Sequence, residues 1–451
     1  MKIPRILITA ASSGSGKTLI SCGLLQAIVN RNMNVAAFKC GPDYIDAMFH
    51  EKIIGASSRN LDLFLTGKET MRHIFGTNAK DAEISFIEGV MGFYDGQGAT
   101  AIEGSSYMVS QELDSPVIFV ADGGVQGLSL VPVIKGFAEF KKNNIKGVIL
   151  NNVHETVYPE LKEIVERETK LKVLGYLPNV KELVIGSRHL GLIMPNEIDM
   201  LKEKMNRLAE IMERTIDIDE VIRIADAAPD FAFGAPELGH DKVKVRIAMA
   251  RDDAFCFIYK DNIDLLERLG AEIAYFSPLS DEHLPKDIGG IIIPGGYPEL
   301  CAYRLSKNRS ILKEIKESTE KGMPCIAEAG GFMYLHDEIE DEAKKFHKMA
   351  GVVKGNVHKT DHLVRFGYIT VTSEKDGLMS EGMKLRGHEF HYWESTNYGD
   401  DCDASRPAGG KGYRCMHITD NLLIGFPQLH YCSNPDFVHR FLKKCSEYAK
   451  K

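Results

Sequence analysis

Lys17 and Thr18 follow the run Ala11-Ser-Ser-Gly14-Ser-Gly16 at the end of a short apolar segment, Ile6–Ala10. This spacing suits a nucleoside triphosphate. Glycines let backbone N–H groups curl around phosphate oxygens, Lys17 reaches the β- and γ-phosphates, and Thr18 offers a hydroxyl to Mg²⁺. Gly14, Ser15, Gly16, Lys17 and Thr18 are therefore the expected contacts for ATP. The first glycine of the general pattern is Ala11 here, and a small residue usually suffices. The plainer alternative is a Gly/Ser-rich turn ahead of an ordinary helix.

Two further strand-like segments end in charge. Phe86-Ile-Glu88-Gly89 runs into Gly92-Phe-Tyr-Asp95-Gly96, which makes Glu88 a candidate Mg²⁺ ligand and Asp95 a candidate substrate contact or turn cap. In Phe38-Lys39-Cys-Gly41-Pro42-Asp43-Tyr44-Ile45-Asp46, Lys39 is expected to stabilise phosphoryl oxygens and Asp46 to serve the metal. Asp43 and Tyr44 are candidate substrate residues. Asn151, closing Gly147-Val-Ile-Leu-Asn, either reads an adenine edge or caps a strand turn.

A second centre lies far along the chain. Cys325-Ile-Ala-Glu328-Ala329-Gly330-Gly331 reads as strand, sharp turn and helix, the geometry of a nucleophile elbow, but a methyl group stands at its apex. Gly295 and Gly296 could supply N–H donors for an oxyanion, and His430 could act as a base. Taken alone, His430 reads as a structural histidine; the three segments together point to a glutaminase-type site.

The elements that must position these residues follow a βα rhythm. Apolar runs at Ile6–Ala10, Val35–Lys39, Ile84–Glu88, Val117–Ala121 and Val148–Asn152 alternate with helical stretches, as in a parallel, doubly wound α/β sheet. Leu174–Leu177 adds a further candidate strand, and Glu197 to Arg223 reads as one long amphipathic stretch. A second rhythm starts at Val245–Ala250 and runs through Glu272–Phe276, Ile288–Pro294 and Pro324–Ala327, before shorter, more antiparallel segments from Val352 to Tyr392. At 451 residues the chain exceeds one ordinary core. The expected division is an ATP- and substrate-binding domain over 1–226, a linker over 227–240 and an amidotransferase-like domain over 241–451.

With 44% hydrophobic and 26% charged residues and a net charge of −8, the composition is that of a soluble globular protein without a broad nucleic-acid surface. No apolar run is long enough for a membrane span, and the first apolar run leads directly into the phosphate loop instead of a cleavage site. A cytoplasmic enzyme is expected. The nine scattered cysteines form no C-x-x-C pair and read as reduced thiols.

These motifs, in this order, resemble the cobyrinate a,c-diamide synthase family along essentially the whole chain. The resemblance rests on Ser13–Thr18, Phe38–Asp46 with His50, Asn60-Leu-Asp62, Glu88–Gly92 with Tyr94-Asp-Gly96, and Arg188-His-Leu-Gly191. In the second half it rests on Arg251–Phe257, Phe276-Ser-Pro278, Gly295–Glu299, Glu328–Gly331 and Arg386–His391. It implies a dethiobiotin-synthetase-like P-loop domain followed by a class I glutamine amidotransferase domain. Glutamine would be hydrolysed by a cysteine thiolate with a histidine base. ATP would activate the c- and a-acetates of a corrinoid as acyl phosphates, and ammonia would displace the phosphate. Arg188, His189 and Arg386 become candidates for a pocket that takes a polycarboxylate; solvated surface charge is the competing account.

The resemblance also places the family's cysteine nucleophile at Ala329. The alanine is either a laboratory substitution, favoured by the retained surroundings, or a natural change to free ammonia. Cys325 lies four residues too early to replace it, and Cys432 stands where many class I amidotransferases carry a glutamate. Related readings are an a,c-diamide synthase for hydrogenobyrinate or a nickel sirohydrochlorin, and, from another class, a non-catalytic ATP-binding glutamine sensor. Intact Lys17, Thr18 and Glu88 favour the enzyme. A homodimer is compatible with the resemblance; the order of amidation and the ammonia path are not read from sequence.

Overall fold

Seven strands of the first unit build one parallel sheet in the computed structural model, which describes residues 1–98, 100–124, 126–183, 198–407 and 409–451. The strands are β1 (Arg5–Ala10), β2 (Val35–Cys40), β3 (Ser57–Leu61), β4 (Ile84–Glu88), β5 (Val117–Asp122), β6 (Ile145–Asn151) and β7 (Lys172–Leu177). Their order is β3-β2-β4-β1-β5-β6-β7. β1, β2 and β4 are buried along their whole length, as expected where helices cover both faces of a sheet. One apolar layer joins Ile6, Ile8, Leu24, Ile28, Met205 and Met212; the other joins Leu7, Phe38, Phe75, Ile87 and Phe119. Both are closed by helices, among them α1 (Lys17–Asn30) and α2 (Tyr44–Phe49).

Three expectations need correction. The edge strand β3 has no counterpart among the strands expected from sequence, because Ser57-Ser-Arg-Asn-Leu carries no apolar run. The stretch 197–223 is not one helix: Ile198–Thr215 ends at Ile216, which bridges to Gly175, and Asp217 caps a second helix, Ile218–Asp226, by accepting from the Glu220 N–H. The segment 227–240 is not a free linker throughout, since Phe231 is buried in the first unit and its N–H donates to the Met1 carbonyl. The chain divides into Met1–Pro236 and Glu237–Lys451.

The second unit is centred on the parallel strands β8 (Val245–Ala250), β9 (Ala271–Phe276), β10 (Gly290–Ile293) and β11 (Cys325–Glu328). Leu422–Gly425 adds in parallel beside β11, and His417–Ile418 closes that edge antiparallel. Arg365–Ser373 and Lys384–His391 pair antiparallel in a separate five-stranded sheet, in keeping with the shorter alternating runs there. Each unit has its own apolar clusters.

Candidate active site

The phosphate loop sits where the sheet order reverses, at the carboxyl end of β1, which is where an open α/β sheet presents its ligand. Gly14 and Gly16 adopt φ of 82° and 91°, values that a side chain disfavours. A Cβ on Gly16 would also collide with the Asn151 side chain, whose amide donates to the Ser15 carbonyl at 3.0 Å. Asn151 thus holds the loop, and its Oδ1 is buried without a hydrogen-bond partner. A cavity of about 280 Å³ adjoins Ser12–Ser15 and is walled by Phe119, Asp122 and Leu130. A larger one, about 570 Å³, lies by Pro116 and Asn144 at the amino ends of β5 and β6, away from the loop's end of the sheet.

Register brings the other charges to the same end. Lys39 pairs with Glu88 across β2 and β4, and Ile8 pairs with Glu88 across β1 and β4. Glu88 Oε1 accepts from Thr18 Oγ1 at 2.6 Å and from Lys39 Nζ at 2.8 Å. Lys39 also forms an ion pair with Asp46. Lys17 Nζ donates to the Ser12 carbonyl at 2.7 Å, folded back on its own loop.

Burial sets the electrostatics. Desolvation, aided by the neighbouring Lys39 cation, lowers Lys17 to about 8; an arriving phosphate would restore its hold on the proton. Burial also opposes charge on Lys39, but Asp46 and Glu88 outweigh it and hold this ammonium well above its ordinary value. Glu88 is likewise resisted by burial, yet Lys39 and His50 keep it ionised well below the usual carboxylate range. Desolvation and Glu88 push Asp46 up to about 7 against the pull of Lys39.

Magnesium prefers hard oxygen donors. Thr18 and Glu88 supply two that already touch, so these residues fit the ion; the Asp46 carboxylate is engaged by Lys39. Asp43 caps α2, accepting from the Ile45 N–H at 2.8 Å, and Tyr44 is buried at the helix start. Asp95 accepts from the Gly92 N–H at 3.0 Å, the capping alternative of its two readings. Arg188 and His189 lie outside the described residues.

In the second unit, Ala329 stands between β11 and the short helix Gly330–Tyr334 with φ 46° and ψ −111°. A residue with a Cβ rarely adopts this conformation, which costs about 1–3 kcal/mol. The turn is pinned by the Ala329 N–H, which donates to the Gly425 carbonyl at 2.9 Å. It is also crowded: a Cβ on Gly331 would strike the Ile293 carbonyl, and one on Gly330 would lie 3.0 Å from the Gly296 nitrogen. A Cβ on Gly295 would lie 3.4 Å from the Ala329 methyl and 2.6 Å from Gln428 Nε2. The structure therefore brings Ala329, Gly295 and Gly296 together. It adds Gln428, whose closeness was hidden because it depends on the chain returning beside β11.

His430 is buried, with its ring centroid 4.8 Å from that of Tyr259, and desolvation lowers it to about 3, so the imidazole is neutral. Its backbone N–H donates to the carbonyl of Arg386, an exposed residue of the strand Lys384–His391. Burial pushes Cys325 up to about 12 and raises Cys432 further, so neither offers a ready thiolate. Glu328 is pushed up to about 8 by the same cause.

Fold and site together define a P-loop ligase joined to a glutamine amidotransferase domain, a class that forms C–N bonds. Residues 6–192 match the CobQ/CobB/MinD/ParA nucleotide binding domain, and residues 246–414 match the CobB/CobQ-like glutamine amidotransferase domain. A cobyrinate a,c-diamide synthase of Caldanaerobacter subterraneus subsp. tengcongensis is 39% identical, covering 99% of each chain. Those of Clostridium tetani and Clostridium acetobutylicum are 39% and 40% identical, each covering 97% of this chain and 99% of their own. Among solved structures, PurLQS from Thermotoga maritima matches with a TM-score of 0.32 and 16% identity, covering 46% of this chain and 99% of its own. The chain belongs to the cobyrinate a,c-diamide synthase family. Among the described residues, no helix is long and apolar enough to cross a membrane.

Proposed function

We propose that the protein amidates the a- and c-acetate carboxylates of cobyrinate through acyl phosphates, with free ammonia as its effective nitrogen source. The observation that carries the ATP half is the convergence of Lys17, Thr18, Lys39 and Glu88 at one end of the sheet. A carboxylate oxygen attacks the γ-phosphorus and ADP leaves. Ammonia then attacks the acyl carbon, inorganic phosphate leaves, and a proton passes to solvent. Lys17 answers the charge on the transferring phosphoryl group. Lys39 keeps Glu88 ionised and oriented toward Thr18. When bound, Mg²⁺, held by Thr18 and Glu88, neutralises phosphate charge. Asp43, Tyr44 and Arg188 remain residues of the first unit proposed to meet the substrate, and Asn151 Oδ1 the one proposed to face adenine.

The glutaminase half is proposed to be silent. The strained elbow is present with Gly295 and Gly296 beside it, while Ala329 has no thiol to attack glutamine. The test is to incubate the protein with ATP, Mg²⁺ and a panel of tetrapyrrole acids, cobyrinate and hydrogenobyrinate among them, with either ammonium or glutamine, and to read product mass. Two amides on cobyrinate with ammonium but not with glutamine is the expected result. Equal rates with both donors would overturn the reading of Ala329; preference for another macrocycle would reassign the substrate.

A further inference from the structure

Near the phosphate loop, three side chains of different chemistry converge: Cys22 from α1, His50 from the end of α2 and Glu88 from β4 each bring one donor atom, the three within 4.8 Å of one another. All three residues are essentially fully buried, at 0–1% exposure. His50 Nε2 and Glu88 Oε2 lie 3.3 Å apart, an ion-pair contact without an aligned hydrogen bond, and neither atom has another hydrogen-bond partner. Such a pair would be costly if it served packing alone, because a buried polar atom without a partner forfeits its hydration.

The closest spacing, 3.3 Å between His50 Nε2 and Glu88 Oε2, suits a tetrahedral cation. Bonds of about 2.0–2.3 Å leave neighbouring donors roughly 3.3–3.8 Å apart. The other imidazole nitrogen supports this: His50 Nδ1 faces the buried hydroxyl of Ser58 at 3.3 Å, so an Nδ1–H donated there leaves the Nε2 lone pair free for a metal. The remaining oxygen of Glu88, Oε1, is the one occupied by Thr18 and Lys39. One carboxylate thus has two separate faces. The first is hard and oxygen-rich; the second offers sulfur, nitrogen and oxygen, a set that favours zinc-like ions over magnesium.

We propose that Cys22, His50 and Glu88 form a site for a borderline-soft divalent cation of the Zn²⁺ or Co²⁺ type, with three protein ligands and an open fourth position. Burial and the Glu88 and Asp46 carboxylates hold the Cys22 thiol well above its ordinary value, so the metal itself must displace the proton to solvent; binding leaves a metal thiolate and transfers no electron. Because Glu88 also serves the proposed Mg²⁺ position, occupancy slows ATP-dependent amidation, a consequence that rests on the proposed function.

The site is tested with Co²⁺ alone, added to the metal-free full-length protein, by its absorption spectrum. One equivalent is expected to give a thiolate-to-cobalt charge-transfer band with tetrahedral visible bands. Cys22→Ala and Cys22→Ser should each remove the charge-transfer band and weaken binding by at least about tenfold, the scale on which even outer-shell partners act. A band that survives unchanged in either folded variant assigns the metal to another cysteine and overturns the proposal. Anomalous diffraction from zinc-soaked crystals of the unaltered protein needs no variant: an ion among these three residues supports the site, and zinc found only elsewhere rejects it. Neither readout depends on amidation, so failure of the functional reading is distinguishable. The ammonia-driven reaction, assayed with excess Mg²⁺, should need at least about tenfold more Zn²⁺ for half-inhibition in Cys22→Ala; equal sensitivity would overturn the inhibitory role.

Discussion

Ala329 keeps an uncommon backbone conformation with no nucleophile to present. In a simple turn nothing would oppose relaxation; here the Gly425 carbonyl and the close backbone of Ile293–Gly296 hold the apex in place. A thiol grafted there should therefore arrive already oriented, at a helix start that favours its anion. Ala329→Cys is expected to create glutamine-dependent amidation that the parent is proposed to lack, read as glutamate release coupled to product; a folded variant without glutaminase activity would count against the elbow. The neighbouring Glu328 makes a separate, thermodynamic prediction. Its carboxyl ordinarily titrates near 4.5 and is pushed up to about 8 by burial, so the folded protein keeps a proton that the unfolded chain releases. That contribution is fully present below about pH 4.5 and is lost as pH rises toward 8. Glu328→Gln should thus gain stability relative to the parent between pH 5 and pH 8, on the order of a few kcal/mol, measured by urea unfolding at both ends. Residue types were enough to single out Lys17, Thr18 and Glu88 as candidates, and the structure brings Thr18 and Glu88 into contact. They could not tell that Lys39 would lie on Glu88 and Asp46, or that Asp43 would cap a helix, because those partners are fixed by register and by the turn after β2.

At the scale of elements, the loop after β1 works only because the end of β6 supports it. Asn151 reaches the Ser15 carbonyl, and it occupies the space into which any side chain at position 16 would grow. Gly16→Ala should therefore abolish measurable ATP binding in calorimetry, since it combines a left-handed φ of 91° with a collision against Asn151. Removing the obstacle in Gly16→Ala/Asn151→Ala should not restore it fully, because the strain of the backbone remains; full recovery would show that crowding alone matters. The same support explains which elements were legible in the sequence. Strands buried on both faces declared themselves as unbroken apolar runs, and β1, β4 and β8 fall within a residue of expectation. β3 did not, since a polar edge strand has no such signature. Nor did the break at Ile216–Asp217, where apolar spacing continues across a cap whose meaning depends on the bridge from Ile216 to Gly175.

At the scale of the molecule, two units carry separate apolar clusters, and the two halves of the proposed chemistry fall one in each. The sequence already showed two βα rhythms; it misjudged the stretch between them because Phe231, in a small-residue segment, inserts into the first core. Arg72 lies over the Phe231 ring at 4.3 Å and donates to the Ala232 carbonyl, so the first unit includes the beginning of the supposed linker. Domains with their own cores tend to unfold as units. Denaturant titration followed by calorimetry should therefore resolve two transitions. ATP with Mg²⁺ is proposed to bind only the first unit, so at about 100 times its dissociation constant it should raise that transition by about 2.7 kcal/mol and leave the other in place. Lys17→Ala should remove the nucleotide-induced shift while two transitions remain resolved in the absence of ATP, since the ammonium donates to the Ser12 carbonyl of its own loop. A single cooperative transition raised as a whole by ATP would instead mean that the second unit depends on the first for its stability, and the two halves of the reaction could no longer be treated as separable by mutation.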